Sequence, residues 1–233
     1  MLLHAHWEDV VFLHFVVETR GARARVPAPL RLDLPLGEAW ITLVALRSRG
    51  PAPLPAPLVG AMPAVAQLGV RGYVEAEGEP ALYYFDEWVA SSALVAAGRL
   101  MGLVRRAADV RVRKDGDDIR VHLDGPAATG ARLEARVRIA GPTQKAMRDP
   151  VGRALLERYL GFAGTPPRWF RFEHAPWIIQ PLAVEELEWE HLLPEGARLA
   201  AAHYGTPLAV ASGVSHAVPR AHPETAPLAE PVR

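Results

Sequence analysis

Apolar and polar positions alternate with a period of two over much of this chain, the spacing of strands with one wet face. Arg132–Ala140 is the cleanest case. Leu133, Ala135, Val137 and Ile139 share one side, and Arg132, Glu134, Arg136 and Arg138 the other. Val10–Thr19 and Glu38–Leu46 are denser runs of β-branched and aromatic residues, read as more buried strands. Val70–Ala76 and Ala81–Val89 flank Glu77-Gly78-Glu79-Pro80, a turn composition that predicts a hairpin. Asp109–Lys114 and Ile119–Leu123 flank Asp115-Gly116-Asp117-Asp118 and predict a second one. Trp169–Glu173 and Ile178–Glu190 continue the strand pattern, the latter from near Pro181. Glu185, Glu186, Glu188 and Glu190 then face water, and Leu187 and Trp189 face inward.

Two segments switch to helical spacing. Ser91 or Ser92 is placed to cap a helix reaching about Leu103, with Leu94, Val95, Leu100, Met101 and Leu103 on its apolar side. Asp149-Pro150 supplies an N-cap and a first-turn proline for a helix to about Tyr159. Arg20–Leu36 reads as an irregular connection. Gly50–Pro57, with proline at 51, 53, 55 and 57, reads as an extended loop. Many antiparallel strands, two short helices and no βαβ alternation predict a mainly β (α+β) barrel or cone. One domain over residues 1–215 is expected, followed by a Pro-rich tail over 216–233 that buries little.

Composition narrows the chemistry. Zero net charge argues against a nucleic-acid or anionic-membrane footprint. The absence of cysteine removes disulfides, thiolate catalysis and Cys-type zinc sites. Residues 1–10 carry His4, His6, Trp7, Glu8 and Asp9 where a secretory signal needs an apolar run. Trp88–Val104, the longest apolar stretch, is broken by Ser91, Ser92 and Arg99. A cytoplasmic location is therefore the default expectation. Of 26 basic residues only Lys114 and Lys145 are lysines, and asparagine is absent. Heat adaptation and a GC-rich genome account for this bias equally well.

Several ordered segments carry a resemblance. Val26-Pro27-Ala28-Pro29-Leu30-Arg31-Leu32-Asp33, Val70-Arg71-Gly72-Tyr73-Val74, and the stretch from Gly78-Glu79-Pro80-Ala81 to Ala97-Gly98-Arg99 together resemble the acetoacetate decarboxylase-like superfamily. Leu156-Glu157-Arg158-Tyr159 and His174-Ala175-Pro176-Trp177-Ile178-Ile179-Gln180-Pro181 are similar to stretches of its uncharacterised YqjF-like branch. The resemblance covers roughly residues 7–215. It implies a double-layered antiparallel β cone around a central pocket, with a homo-oligomer allowed because decarboxylase relatives are oligomeric. It supplies no activity for the YqjF-like branch.

In decarboxylases of that superfamily a Pro-Lys-Lys follows the Gly-Arg pair, and one lysine forms a Schiff base with the keto-acid. Here Gly98-Arg99 leads to Arg105-Arg106. A guanidinium has no neutral form near pH 7, so it cannot attack a carbonyl, whereas its planar fork suits carboxylate. Arg105 or Arg106 is thus a candidate anion anchor, unless both lie on a solvated edge with Arg111 and Arg113. Arg71, in an apolar strand, needs a buried partner. Glu75 or Glu87 would make it structural, and a ligand would make it a pocket anchor.

His14 inside the first strand either lines the pocket or is a hydrogen-bonded core residue. Tyr73 and Tyr83 are candidate aromatic wall, with Tyr83 and Phe85 on one face and Tyr84 on the other. Gln67 stands where YqjF-like relatives often carry Glu, which removes a general base. His4 and His6 lack a third ligand and are read as solvated terminal residues, and His174 is read as a turn anchor. No catalytic residue, metal ligand or cofactor is assigned.

Three functional expectations follow. The first is a small-molecule binder holding an organic, carboxylated or apolar, ligand through Arg71, Tyr73, Tyr83, Arg105, Arg106 and His14. The others are a lysine-independent enzyme on an organic acid and an interaction protein with a vestigial pocket.

Overall fold

The computed structural model describes residues 2–53, 55–100 and 104–214. The tail over 216–233, and Met101 and Leu103 of the expected helix, lie outside them. In chain order the elements are β1 (Leu2–Val17), α1 (Thr19–Arg25), β2 (Arg31–Leu32), β3 (Ala39–Ala52), α2 (Ala56–Gly60), β4 (Val65–Ala76) and β5 (Glu79–Val89). They continue with α3 (Ser92–Leu100), β6 (Arg106–Ala107), β7 (Asp109–Asp115), β8 (Asp118–Asp124), β9 (Arg132–Ile139), β10 (Gln144–Lys145) and α4 (Pro150–Leu155). The chain then runs through β11 (Leu160–Ala163), β12 (Arg168–Glu173), β13 (Ile178–Glu190), β14 (Arg198–Gly205) and β15 (Leu208–Val214).

Seven strands, in the order β1-β3-β4-β5-β11-β12-β15, close into a barrel because β15 pairs back onto β1. The pairings are antiparallel except between β11 and β5. β1 forks the architecture. Its residues Leu2–Trp7 pair with β15, whereas Val10–Val16 pair with β14 and so start a second sheet, β14-β13-β9-β8-β7. Between the halves lies a bulge at Asp9, whose φ of 51° is a left-handed value that aspartate tolerates.

The second sheet folds back over the barrel wall, with β7 against β4. The main core fills the space between them. Val11, Leu13 and Phe15 of β1 and Ile41 and Leu43 of β3 meet Val112, Ile119, Val121, Leu133 and Val137 from the overlying strands. Alternation places the opposite residues of β1 and β3, including Phe12, His14, Thr42 and Val44, inside the barrel.

Local chemistry explains the turns and caps. Glu77 (φ 53°) and Gly78 (φ 80°) make the two-residue β4–β5 turn with both φ positive, the hand that matches strand twist. Ser91 caps α3, its Oγ accepting from the Leu94 N–H at 3.4 Å. Asp149 caps α4, accepting from the Gly152 N–H at 2.6 Å.

Several expectations need correction. Arg20–Leu36 is not irregular, since it carries α1 and β2. The Gly50–Pro57 stretch splits between the end of β3 and the start of α2, so there are four α-helices among the described residues and not two. The helix at Pro150 stops at Leu155. β1 begins at Leu2, which puts His4 and His6 in a paired strand, partly buried, and not in a solvated terminus.

Phe15 has no exposed surface and stacks edge-on with Trp189 at 5.2 Å across the two sheets. Phe15→Ala should lower unfolding free energy by about 3–5 kcal/mol in urea melts. A loss under about 1 kcal/mol would show that the sheets do not share this core.

Candidate functional site

Every barrel strand contributes to one cavity of about 110 Å³. That is ample for several water-sized groups and below the roughly 300 Å³ typical of drug-sized ligands. Trp7, Leu46, Phe170, Phe172 and Val210 make most of its wall apolar, and Gln67, Arg71, Tyr84, Glu87 and Arg105 supply its polar groups. Among the described residues no group of three metal-ligating side chains occurs, and no helix is long and apolar enough to cross a membrane.

Arg71 sits on the floor. Cross-strand register aligns His14 of β1, Thr42 of β3, Arg71 of β4 and Tyr84 of β5 in one row. The Arg71 guanidinium lies 5.2 Å from the centre of the Phe12 ring. Arg71 is 5% exposed, and its Nε and Nη2 find no hydrogen-bond partner among the described residues. Neither expected carboxylate pairs with it. Glu75 lies further along β4 and faces Arg31 in register. Glu87 is engaged by Arg105 through Nε at 2.6 Å and Nη2 at 3.2 Å.

That pair sits at the cavity wall. Arg105 reaches it past Gly98, where a β-carbon would lie 2.5 Å from Arg105 Cδ. Its Nη1 remains buried and unpartnered, as does Gln67 Nε2. With Glu87 cancelling Arg105, Arg71 leaves the cavity one net positive charge. The unpartnered nitrogens around it are N–H donors.

Sequence candidates separate accordingly. Arg71 and Arg105 line the cavity. Arg106 does not: it is exposed and bonds Asp86 at 2.9 Å. Tyr83 does not either. Hairpin register sets Arg71 opposite Tyr84, and a β5 bulge just beyond sets Val70 opposite Asp86, leaving Phe85 extra. Tyr84 and Glu87 therefore both face inward, while Tyr83 packs outside against Phe85 and donates to the Gly164 carbonyl at 3.0 Å. Tyr84 and Glu87 are the polar lining residues that strict alternation failed to group.

Tyr73 and His14 lie below the cavity. Both are fully buried and joined through Thr42, whose Oγ1 is 2.6 Å from Tyr73 Oη and 2.9 Å from His14 Nδ1. Both lysines are exposed. Lys114 bonds the Gly116 carbonyl at a hairpin turn, and Lys145 lies in β10.

The remaining motif residues build the floor. Arg158 holds Asp33 at 2.6 Å and lies 5.0 Å from the Tyr73 ring centre. Glu157 accepts from the Trp177 N–H at 2.9 Å and from the Tyr159 hydroxyl. Trp177 packs edge-on against Phe12 at 5.0 Å. His174 Nδ1 is 2.7 Å from the Ala175 carbonyl, a turn contact.

Burial sets the protonation of this region. It pushes Tyr73 and Tyr84 up, opposed in both by the Arg71 charge. His14 is held well below its usual value by burial, then by His203 and Arg71. Burial likewise lowers His203 against the pull of Asp149, and lowers His174.

Comparisons with known proteins agree with this architecture. A family model, DUF2071, described as an uncharacterized conserved protein, matches residues 4–215. The uncharacterized protein YqjF of Bacillus subtilis (strain 168) is 27% identical over 187 residues, covering 79% of this chain and 77% of that one. The enduracididine biosynthesis enzyme MppR complexed with pyruvate is structurally similar (TM-score 0.64, 14% identity, 92% of this chain and 90% of that chain). An acetoacetate decarboxylase-like enzyme from Sphingomonas wittichii RW1 is similar too, with TM-score 0.63, 13% identity and 94% coverage of both chains. The fold is thus acetoacetate decarboxylase-like.

Two measurements check the electrostatics. Glu87→Gln leaves Arg105 buried without its counter-ion and should cost about 3 kcal/mol in urea melts, at the low end for buried pairs because Glu87 keeps 16% of its side chain exposed. An unchanged midpoint would show the pair is not needed. The lowered imidazoles mean that the unfolded chain takes up protons first as pH falls. Their stability contribution is complete above about pH 6.5 and declines below it. The fall in stability between pH 7.5 and 5.5 should be shallower in His14→Gln; an identical slope would remove His14 from this account.

Proposed function

This chain belongs to the DUF2071 family, and we propose that its barrel binds a small organic monocarboxylate without Schiff-base chemistry. The observation that carries the reading is Arg71: a residue 5% exposed, with two guanidinium nitrogens unpartnered among the described residues, lining the barrel cavity. Burying an unpaired cation costs several kcal/mol, and an anion received bidentately offsets that cost.

Arg71 takes the carboxylate over the face of Phe12. Gln67 Nε2 and Arg105 Nη1 stand ready for a further acceptor oxygen. Trp7, Phe170 and Phe172 cover a short apolar body. A fold neighbour described in complex with pyruvate supports an acid of this size. Exposure of both lysines supports binding without a covalent imine.

Thermal unfolding tests the reading. At matched ionic strength, acetate, propionate or pyruvate should raise the midpoint and chloride should not. Near a hundredfold excess over Kd the gain is about 2.7 kcal/mol, roughly 5–10 °C. Arg71→Met should abolish the shift while raising the ligand-free midpoint, because it removes a buried unpaired charge. An equal carboxylate shift in Arg71→Met would overturn the assignment. Borohydride with pyruvate should leave the protein mass unchanged.

A further inference from the structure

Below the cavity runs a line of polar side chains that anion binding does not use. Tyr73 Oη, Thr42 Oγ1 and His14 Nδ1 are linked at 2.6 and 2.9 Å. The rings of His14 and His203 face each other with centroids 5.3 Å apart. His203 Nε2 lies 3.5 Å from Asp149 Oδ1, and the Asp149 side chain is 24% exposed. The inner end adjoins the cavity, since Thr42 sits opposite Arg71 in register.

The line is open between the two imidazoles, and its outer contact to Asp149 is an ion-pair distance longer than a usual hydrogen bond. His14 Nε2 and His203 Nδ1 are both buried and both lack a partner among the described residues. Leaving either nitrogen orphaned costs about 1–3 kcal/mol, and because the two rings are adjacent, one small polar group can serve both. A metal ion would need a third ligand, and no such group of three occurs among the described residues. A water supplies what both nitrogens need, because it donates and accepts at once.

We propose that one buried water bridges His14 Nε2 and His203 Nδ1 and completes a proton path from the cavity floor to solvent at Asp149. The proposal stands apart from the anion-binding reading. The Asp149 carboxylate, which only accepts, sets the direction of the line. Tyr73 donates to Thr42, Thr42 to His14 Nδ1, His14 Nε2–H to the water, the water to His203 Nδ1, and His203 Nε2–H to Asp149. When a proton arrives on Tyr73 Oη, each group passes its own proton onward. One O–H or N–H bond breaks and one forms at every link, and Asp149 releases a proton to solvent. Hydroxyl rotation and imidazole tautomer exchange then restore the starting polarity. Burial keeps both imidazoles neutral, the state in which each has one N–H and one lone pair.

A high-resolution crystal structure of the full chain should show a water within about 3.2 Å of both nitrogens. Solvent exchange of the His14 ring proton, read by nitrogen-15 NMR, should be at least tenfold slower in His203→Phe than in the natural protein. Asp149→Asn, which keeps an N-cap for α4, should also slow it and serves if the first variant does not fold. An empty gap, or an exchange rate unchanged in the folded variant, would overturn the path.

Discussion

The hydrogen bonding of β1 is the constraint on which the molecule depends. One edge of this 16-residue strand is taken by β3. The other is divided between β15, which closes the barrel, and β14, which starts the covering sheet. A single slip in register would exchange its faces, moving Phe12 and His14 to the intersheet core and Phe15 into the barrel. The bulge at Asp9 lets the strand bend from one partner to the other, and Arg47 holds the Asp9 carboxylate at 3.3 Å.

Closure also determines what a charged side chain on the inner wall experiences. On an open sheet Arg71 would reach water; inside the ring it exchanges hydration for the Phe12 face and the neighbourhood of Tyr73 and Tyr84. Glu87, the nearest lining carboxylate, is already committed to Arg105 with two bonds. The excess charge thus arises from partner choice within the cavity and not from the overall charge, which is zero. Several residues of the motif segments lie beneath this level. Asp33, Glu157, Arg158 and Trp177 knit the floor together and plug the barrel.

Features governed by near neighbours were legible in the chain. The alternation of β9, the Glu77-Gly78 turn and the Asp149 cap each depend on a few consecutive residues. Features decided by distant partners were not. β14 (RLAAAHYG) and β15 (LAVASGV) are rich in alanine and glycine, which carry little strand preference, so pairing with β1 makes them strands. The barrel's closing strand therefore left no local mark. Likewise, the burial of Arg71 could be read from its apolar flanks, but its lack of a counter-ion could not. The β5 bulge turned Glu87, and not Asp86, toward the cavity beside Tyr84, because one extra residue reverses the parity of everything beyond it.

Joining β15 to β1 leaves β7 as the margin of the linked sheets among the described residues. There Val110 and Val112 point inward, while Asp109, Arg111, Arg113, Lys114 and Asp115 are exposed. Unsatisfied backbone groups on such a margin would otherwise template another chain. Charged side chains along this rim would have to be desolvated for another strand to add, which guards a β-rich molecule against fibrous self-association.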